Sequence, residues 1–443
     1  MGIVERIPQA LQAIFGPVSD QLAKSCEFIK RERGFSGSDF VRVLVFGWLT
    51  RPRASIEYLA LMLGISGSGL QQRLTPTASE FLRHVFQQAL QVAFASRPVR
   101  IPLLSRFNGV YTEDCSTISL PEALADQFPG CGGSHETAGK AALRFFTSYE
   151  LTTGKLHQVE TCTGRGADSK IAQEYAVDLP VGALRIRDMG FFDRNLFERD
   201  TAGGVFWISR IPANLTVREA EGESIAISDF LSRQPADVRR IDCWLWVGQK
   251  DRSAGPLWCR FMAVRCPPEV AARRRAKVRE TARRKGRTAS QRQLLMCEWT
   301  VLITNIPEEL LSLKEAWELY CSRWQIELLF KRWKSLGGLQ VSTQMCPGRV
   351  LCELYAKLLG LLVSHWFALI RGGPLEGFSI VQVIHQIQDA APRIRAALDC
   401  PKNLRAMVEE IADMIKRLRQ QPRRKKRPST RQRLFCPETL GLT

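Results

Sequence analysis

The chain has 443 residues, 45% of them hydrophobic, with 63 Lys and Arg against 44 Asp and Glu and a formal net charge of +19. Length and apolar content suffice for two or three buried cores. Five histidines without an HExxH motif and thirteen cysteines without a CxxC pair argue against a zinc site, and scattered thiols are those of a reduced, cytoplasmic protein. The opening MGIVERIPQALQAIFGP contains Glu5 and lacks a basic stretch followed by a long apolar run, so no secretory leader is expected.

Residues 1–100 read as helical, with apolar spacing near 3.6 in FVRVLVFGWL and FLRHVFQQALQVAF. SIEYLALMLGISGSGLQQRL predicts a helix, a turn at Gly64, a cap at Ser66 or Ser68 and a second helix ending near Arg73. Two packed helices without a DNA role satisfy that pattern. A helix-turn-helix presenting Gln71, Gln72 and Arg73 to DNA satisfies it equally.

From residue 101 the texture changes to strands. NGVYTED, FFTSYELTTG, KLHQVETCTG, ALRIRD and GVFWISRI alternate or are rich in strand formers, the first three in hairpin-like succession around Gly154. The later ones are separated by helical segments such as SKIAQEYAVD and RNLFERD. Val110, Tyr111 and Thr112 form a short strand ending at Asp114; Leu184 and Ile186 alternate with Arg185 and Arg187 in one that stops at Asp188, where Gly190 permits a tight turn. Glu113 is expected on the face opposite Asp114, and Asp193 is expected to cap a helix starting near Arg194.

Residues 211–294 interrupt this pattern with strand-like CWLWVG and LWCRFMAVRC, then PPEVAARRRAKVRETARRKG, an exposed helix started by Pro267 and Pro268 and stopped at Gly286. EWTVLITNIP resumes the aliphatic strands. Within 295–345 the segment YCSRWQIELLFKRWK puts Tyr320, Arg323, Glu327 and Lys334 within roughly a 60° arc of one helix, opposite an apolar side containing Trp324, Leu328, Leu329 and Phe330. One reading is an exposed helix with internal ion pairs. The other is a metal-bound phosphate, with Glu327 taking the cation and Arg323, Lys334 and Tyr320 the phosphate oxygens. Residues 346–415 look helical, and LLGLLVSHWFALI, Leu358 to Ile370, is too short to span a bilayer and reads as a buried helix.

Charge is concentrated. Arg273 to Arg292 holds ten basic residues against Glu280 alone, and Lys416 to Arg433 in the tail, 416–443, holds ten and no acid; together they account for the whole net charge. Such clusters neutralise phosphates, giving salt-sensitive, sequence-tolerant binding, with Arg273, Arg274, Arg275, Lys277, Arg283, Arg284 and Lys285 as the contacts in the first. The proline-broken QQPRRKKRPSTRQR is expected to be disordered when free, and neither segment has the aromatic and leucine face of a membrane-surface helix.

The spacing Tyr-x2-Arg-x3-Glu-x6-Lys, fixed over fifteen positions, resembles the signature of the DDE transposases of the bacterial insertion sequence 4 family, without gap or substitution. The resemblance covers most of residues 101–345 and the flanks loosely. It implies two upstream aspartates at strand ends: Asp114, before a CSTISLP stretch, is similar to the family's first, and Asp188, followed by Gly190 and Phe191, to its second. Asp114, Asp188 and Glu327 are then the expected catalytic residues, holding Mg²⁺, for which Mn²⁺ can substitute. Two divalent cations stabilise the attacking and leaving oxygens of an in-line phosphodiester displacement, and Mg²⁺ accepts a sparse set of carboxylates.

The fold class expected is α/β: a ribonuclease H-like core, 101–210 and 295–345, with a mainly β insertion, flanked by a helical DNA-binding domain at 1–100 and helices at 346–415. Asp114 would lie on the first strand and Asp188 at the end of the fourth. The resemblance further implies cleavage of transposon ends, joining of the 3′-hydroxyl to target DNA, double-stranded DNA as partner, a homodimer in the DNA complex, no membrane, and residence with the bacterial nucleoid. Relatives that form DNA hairpins stack a flipped base on a tryptophan placed like Trp299, whose other reading is a side chain packed at the root of the insertion; Trp244, Trp246 and Trp258 are weaker candidates. A transposase-derived DNA-binding protein without catalysis and a structure-selective nuclease of the same fold are the competing readings.

Overall fold

The computed structural model describes residues 2–31, 34–131, 140–249, 254–339, 345–418, 428–435 and 437. His135 and residues 419–427 of the basic tail lie outside them. The chain forms two compact units from discontinuous pieces: a helical unit of 1–99, 115–165 and 325–423, and a sheet unit of 100–114, 166–324 and 424–443. The consecutive segments drawn from the sequence are thus shared out between two bodies, and the N-terminal and C-terminal helices lie in the same one.

In the helical unit, helices Ile3–Ala13, Ser19–Ser25, Gly37–Thr50, Ile56–Leu63, Gly67–Arg73 and Pro76–Gln91 come first. The last four start at hydroxyl residues: Ser36, Ser55, Ser66 and Thr75 accept backbone N–H bonds from Asp39, Tyr58, Gly69 and Ala78. Gly64, at φ +75°, ends the Ile56–Leu63 helix, and Ser66 is the cap of the next, which leaves Gln71, Gln72 and Arg73 exposed. Strand β1 (Val110–Leu120) enters this unit with its second half and stands beside β2 (Ala141–Glu150), which forms an antiparallel hairpin with β3 (Leu156–Thr163).

The centre of this unit is the helix Pro347–Ala368, which packs on Pro76–Gln91, Gly37–Thr50 and the later helix Ile380–Ala397. It begins well before the apolar run seen in the sequence. At 22 residues it is long and apolar enough to cross a membrane by length and composition, yet 89% of its apolar window is buried inside the protein. That burial fits the core-helix reading. Each fully covered Leu or Val there contributes roughly 1.5–3 kcal/mol.

The sheet unit takes the first half of β1 and adds β4 (Leu184–Arg187), β5 (Phe206–Arg210), β6 (Thr216–Arg218), β7 (Ile225–Ala226), β8 (Arg240–Val247), β9 (Leu257–Arg265) and β10 (Trp299–Thr304). Their order is β1-β4-β5-β10-β9-β8-β6-β7. β1, β4 and β5 are parallel; β10 is antiparallel to both β5 and β9. Residues 211–294 therefore extend the sheet along β10, and do not form a separate body. An apolar cluster including Phe197, Trp207, Phe261 and Ile303 fills one side, with the Phe197 and Trp207 rings stacked 4.3 Å apart.

Arg185 and Arg187 alternate with Leu184 and Ile186 along β4. All four β4 residues are buried, because parallel strands are covered on both faces.

Candidate active site

Strand β1 continues six residues past Asp114, so that aspartate lies within a strand and not at its end. Its partner in the parallel register is fixed one residue earlier, where Glu113 faces Arg187 across β1 and β4. The following residues are Asp114 and Asp188, which brings the two acids to adjacent strand positions from opposite ends of a long sequence interval. Because side chains alternate, Glu113 and Arg187 occupy one face and the two aspartates the other.

On the first face, Glu113 is fully buried and accepts from Arg185 Nη1 at 2.6 Å and Arg187 Nε at 2.7 Å. Asp200, on the helix Arg194–Ala202, completes the group at 3.3 Å from Arg185 and 3.4 Å from Arg187. Burial alone would raise the Glu113 pKa, but the two guanidiniums more than offset it and hold the carboxyl below its ordinary range. Glu113 is thus committed as a structural counter-ion, in keeping with its expected position opposite Asp114.

On the second face, Asp188 follows β4 in extended conformation and accepts the Met189 N–H at 2.7 Å, capping the single turn Met189–Phe191. Gly190 does not have a positive φ; a Cβ there would come 2.8 Å from Asp168 Oδ2, so that the Asp168 side chain would have to yield. Asp193 caps the helix Arg194–Ala202 through the Leu196 N–H, as expected.

The helix Leu313–Ser322 brings the next two groups. Ser312 and Glu315 form a reciprocal cap at its start, Arg106 holds Glu315 at 2.7 Å, and Arg433 forks onto Glu318 at 2.6 and 3.1 Å. Held in this way, Tyr320 donates its hydroxyl to Asp188 Oδ1 at 3.0 Å, and Arg323 Nη1 reaches Asp114 Oδ2 at 3.2 Å. Both Asp188 bonds converge on Oδ1, while Oδ2 accepts none from the described residues. Burial and the neighbouring Asp188 charge push the Tyr320 phenol well above its ordinary range, so it stays a donor at neutral pH.

The single helical stripe expected for Tyr320, Arg323, Glu327 and Lys334 is interrupted. The first helix closes at Ser322, Arg323 is its cap, and a second helix runs from Trp324 to Ser335. Glu327 falls in the first turn of that second helix and Lys334 in its last, both partly buried. Of the apolar residues expected to anchor it, Leu329 and Phe330 are buried, but Trp324 is 54% exposed. Among the described residues, no group of three or more His, Cys, Asp and Glu side chains is close enough to hold a metal ion.

Trp299 is 2% exposed, opens β10 and lies under the Arg265 guanidinium, 4.5 Å from its ring centre. This is the packed alternative; to stack a base it would have to leave that pocket. Of the weaker candidates on β8 and β9, Trp258 is 40% exposed and flanked by Trp244 and Trp246.

The basic helix, Pro268–Arg284, divides the expected DNA contacts. Arg273, Lys277, Arg283, Arg284 and Lys285 are exposed. Arg274 is engaged by Thr300 Oγ1 at 2.9 Å, and Arg275 by Glu298 at 2.9 Å. Arg433, counted with the basic tail, is likewise occupied by Glu318.

Arg185, Arg187 and Asp200 escape a reading of the sequence as a group. The available signal is the run RIRD opposite ED, with arginines at alternate positions of a strand whose neighbours are aliphatic.

A family model described as Transposase DDE domain matches residues 113–359, beginning at Glu113 and taking in Asp114, Asp188 and both helices that carry Tyr320 to Lys334. The transposase for insertion sequence element IS231F of Bacillus thuringiensis subsp. israelensis is 28% identical over 370 residues, covering 78% of this chain and 76% of the relative. That for IS231D of Bacillus thuringiensis subsp. finitimus is 27% identical over 369 residues, with 78% and 75% covered. That for IS1151 of Clostridium perfringens is 24% identical over 370 residues, with 78% and 76% covered. With more than half of its length inside the matched domain, the chain belongs to the DDE transposase family.

Proposed function

We propose that this protein cuts DNA at transposon ends and joins the freed 3′-hydroxyl to target DNA, in a Mg²⁺-dependent cut-and-paste reaction in which Mn²⁺ can substitute. The observation that carries this reading is the pair of contacts from one helix end, Tyr320 to Asp188 and Arg323 to Asp114, the second joining residues 209 apart in sequence. A phenol and a guanidinium that converge on two carboxylates at adjacent strand positions have little use in a solvated helix. They suit a site that must accept both a cation and a phosphate.

The donor set fits a hard divalent ion. Asp114 and Asp188 offer only oxygen and are partly exposed, and Asp188 Oδ2 accepts no hydrogen bond from the described residues. In this reading Asp114, Asp188 and Glu327 hold the cations, which when bound stabilise charge on the attacking and leaving oxygens. Tyr320 fixes the Asp188 carboxylate so that Oδ2 points away from its own donor. Arg323, which balances Asp114, also donates to a phosphate oxygen, and Lys334 adds a point charge. The exposed Arg273, Lys277, Arg283, Arg284 and Lys285 bind the DNA backbone.

The same proposal reads the parallel strands and their helices as a ribonuclease H-like core of the insertion sequence 4 type. It also includes a homodimer on DNA built through the C-terminal helices, and action at the bacterial nucleoid. The names of the relatives, transposases for insertion sequence elements, favour such an activity here.

Strand transfer with DNA carrying the element's ends tests the reading, comparing wild type with Asp188→Ala. Both proteins should retard the DNA, and only the wild type should nick it and yield joined product. Retardation without nicking by either protein would favour a DNA-binding derivative. Cleavage without joining would favour a nuclease.

A further inference from the structure

We propose that Glu113 and Arg187 are positioning residues: their buried contact selects the one β1–β4 register that sets Asp114 beside Asp188. This rests on the reading that the two aspartates hold divalent cations. The group beneath them is closed on all sides, with Glu113 0%, Arg185 1%, Arg187 1% and Asp200 4% exposed. Its two acids and two arginines balance in charge. Arg185 is further tied to the Val177 carbonyl at 2.8 Å, so the group links β1, β4, the helix Arg194–Ala202 and the segment that precedes β4.

Stability alone does not account for such a group, because well-packed apolar side chains of similar volume do as well or better than buried ion pairs. Register does account for it. Glu113 bridges residues two apart on β4, Arg185 at 2.6 Å and Arg187 at 2.7 Å. A slip of one residue would carry both arginines to the opposite face, and a slip of two towards Met189 would leave Glu113 with Arg187 as its single partner. Aliphatic side chains on parallel strands tolerate such slips; this bidentate bridge does not. The observed register satisfies it with Arg187 opposite Glu113 and Arg185 on the diagonal, and in that register the next residues along both strands are the two aspartates.

The test uses the full chain with duplex DNA and Mn²⁺, whose binding is followed by electron paramagnetic resonance, with folding checked by circular-dichroism melting. The informative variant is the double Glu113→Gln, Arg185→Gln, which keeps Arg187 and Asp200 as a balanced pair but removes the bridge. It should fold and bind Mn²⁺ at least tenfold more weakly, as Asp188→Asn does. A folded double variant with wild-type Mn²⁺ affinity overturns the proposal. Should the double variant not fold, the four positions are replaced together by apolar residues, Glu113→Leu, Arg185→Leu, Arg187→Met and Asp200→Leu. That protein should melt cooperatively yet still bind Mn²⁺ poorly. Normal binding, or collapse of this protein too, assigns the group to stability and ends the proposal. If Asp188→Asn itself leaves Mn²⁺ binding unchanged, the cation reading of the aspartates is what fails.

Discussion

Two faces of the same pair of strands treat carboxylates in opposite ways. Glu113 and Asp114 are neighbours in sequence, as are Arg187 and Asp188, yet Glu113 and Arg187 are sealed from water while the aspartates are partly open. On the sealed face every charge has a fixed opposite charge, and the acid is unavailable for any ligand. On the open face Tyr320 and Arg323 hold the acids from one helix end, and both carboxylates stay within reach of solvent. The difference shows that residue type alone does not decide whether a carboxylate is open to a ligand. What decides it is which side of the sheet the carboxylate faces and how tightly the protein encloses it.

The largest contrast should come from replacing one acid on each face. Asp188→Asn preserves shape and the cap on Met189, so in a strand-transfer assay it should lose about four orders of magnitude, about 5 kcal/mol of transition-state stabilisation, with a melting temperature close to wild type. Glu113→Gln should add a loss that Asp188→Asn lacks, lowering unfolding free energy by about 3–5 kcal/mol in denaturant titration, because it leaves Arg185 and Arg187 with Asp200 alone. Equal stability losses in both variants would erase the distinction between the faces.

A buried ionisable group without an opposite charge sharpens the comparison at a smaller scale. In the helical unit, His365 donates Nε2–H to the Gly154 carbonyl at 2.7 Å, and burial lowers its pKa from 6.5 to about 4. The unfolded imidazole takes a proton near pH 6.5 and the folded one resists until about pH 4. Its contribution is therefore complete above the first value and is lost as pH falls towards the second, a change of about 2 kcal/mol by about pH 4.5. His365→Gln should flatten that part of the stability profile, and an unchanged profile would show that other groups carry the acid sensitivity.

The smallest effect concerns the basic helix. Replacing exposed Arg273, Lys277 and Arg283 with Gln should reduce the salt dependence of DNA binding, by about 0.9 in log–log slope for each phosphate that is no longer neutralised. Replacing Arg274 and Arg275, which are bonded to Thr300 and Glu298, should leave that slope nearly intact and lower the melting temperature instead. Equal slopes for the two sets would remove the division between exposed and committed arginines.

Much of the local structure is legible in the residues. Side-chain caps at Ser66 and Asp193, the Gly64 stop, the proline start of the basic helix and the hairpin of β2 and β3 all follow from short-range chemistry and periodicity. The pair Asp114 and Asp188 can be singled out because each follows strand formers, although the strand through Asp114 runs on. What escapes is of longer range. RIRD looks the same whether its arginines face water or a buried acid, and a helical arc drawn through Tyr320 to Lys334 cannot foresee the break after Ser322.

By itself, then, the sequence determined most of the secondary elements and the concentration of positive charge, and its family resemblance pointed to Asp114 and Asp188 with Tyr320 and Arg323. The tertiary structure decided which acids are sealed and which open, which basic residues are already engaged, and that Trp299 lies in the core. The reason is physical: capping, turn and periodicity signals act over a few residues, whereas burial and ion pairing depend on partners such as Glu113 and Arg187 or Arg433 and Glu318, which become neighbours only when the strands and helices are assembled.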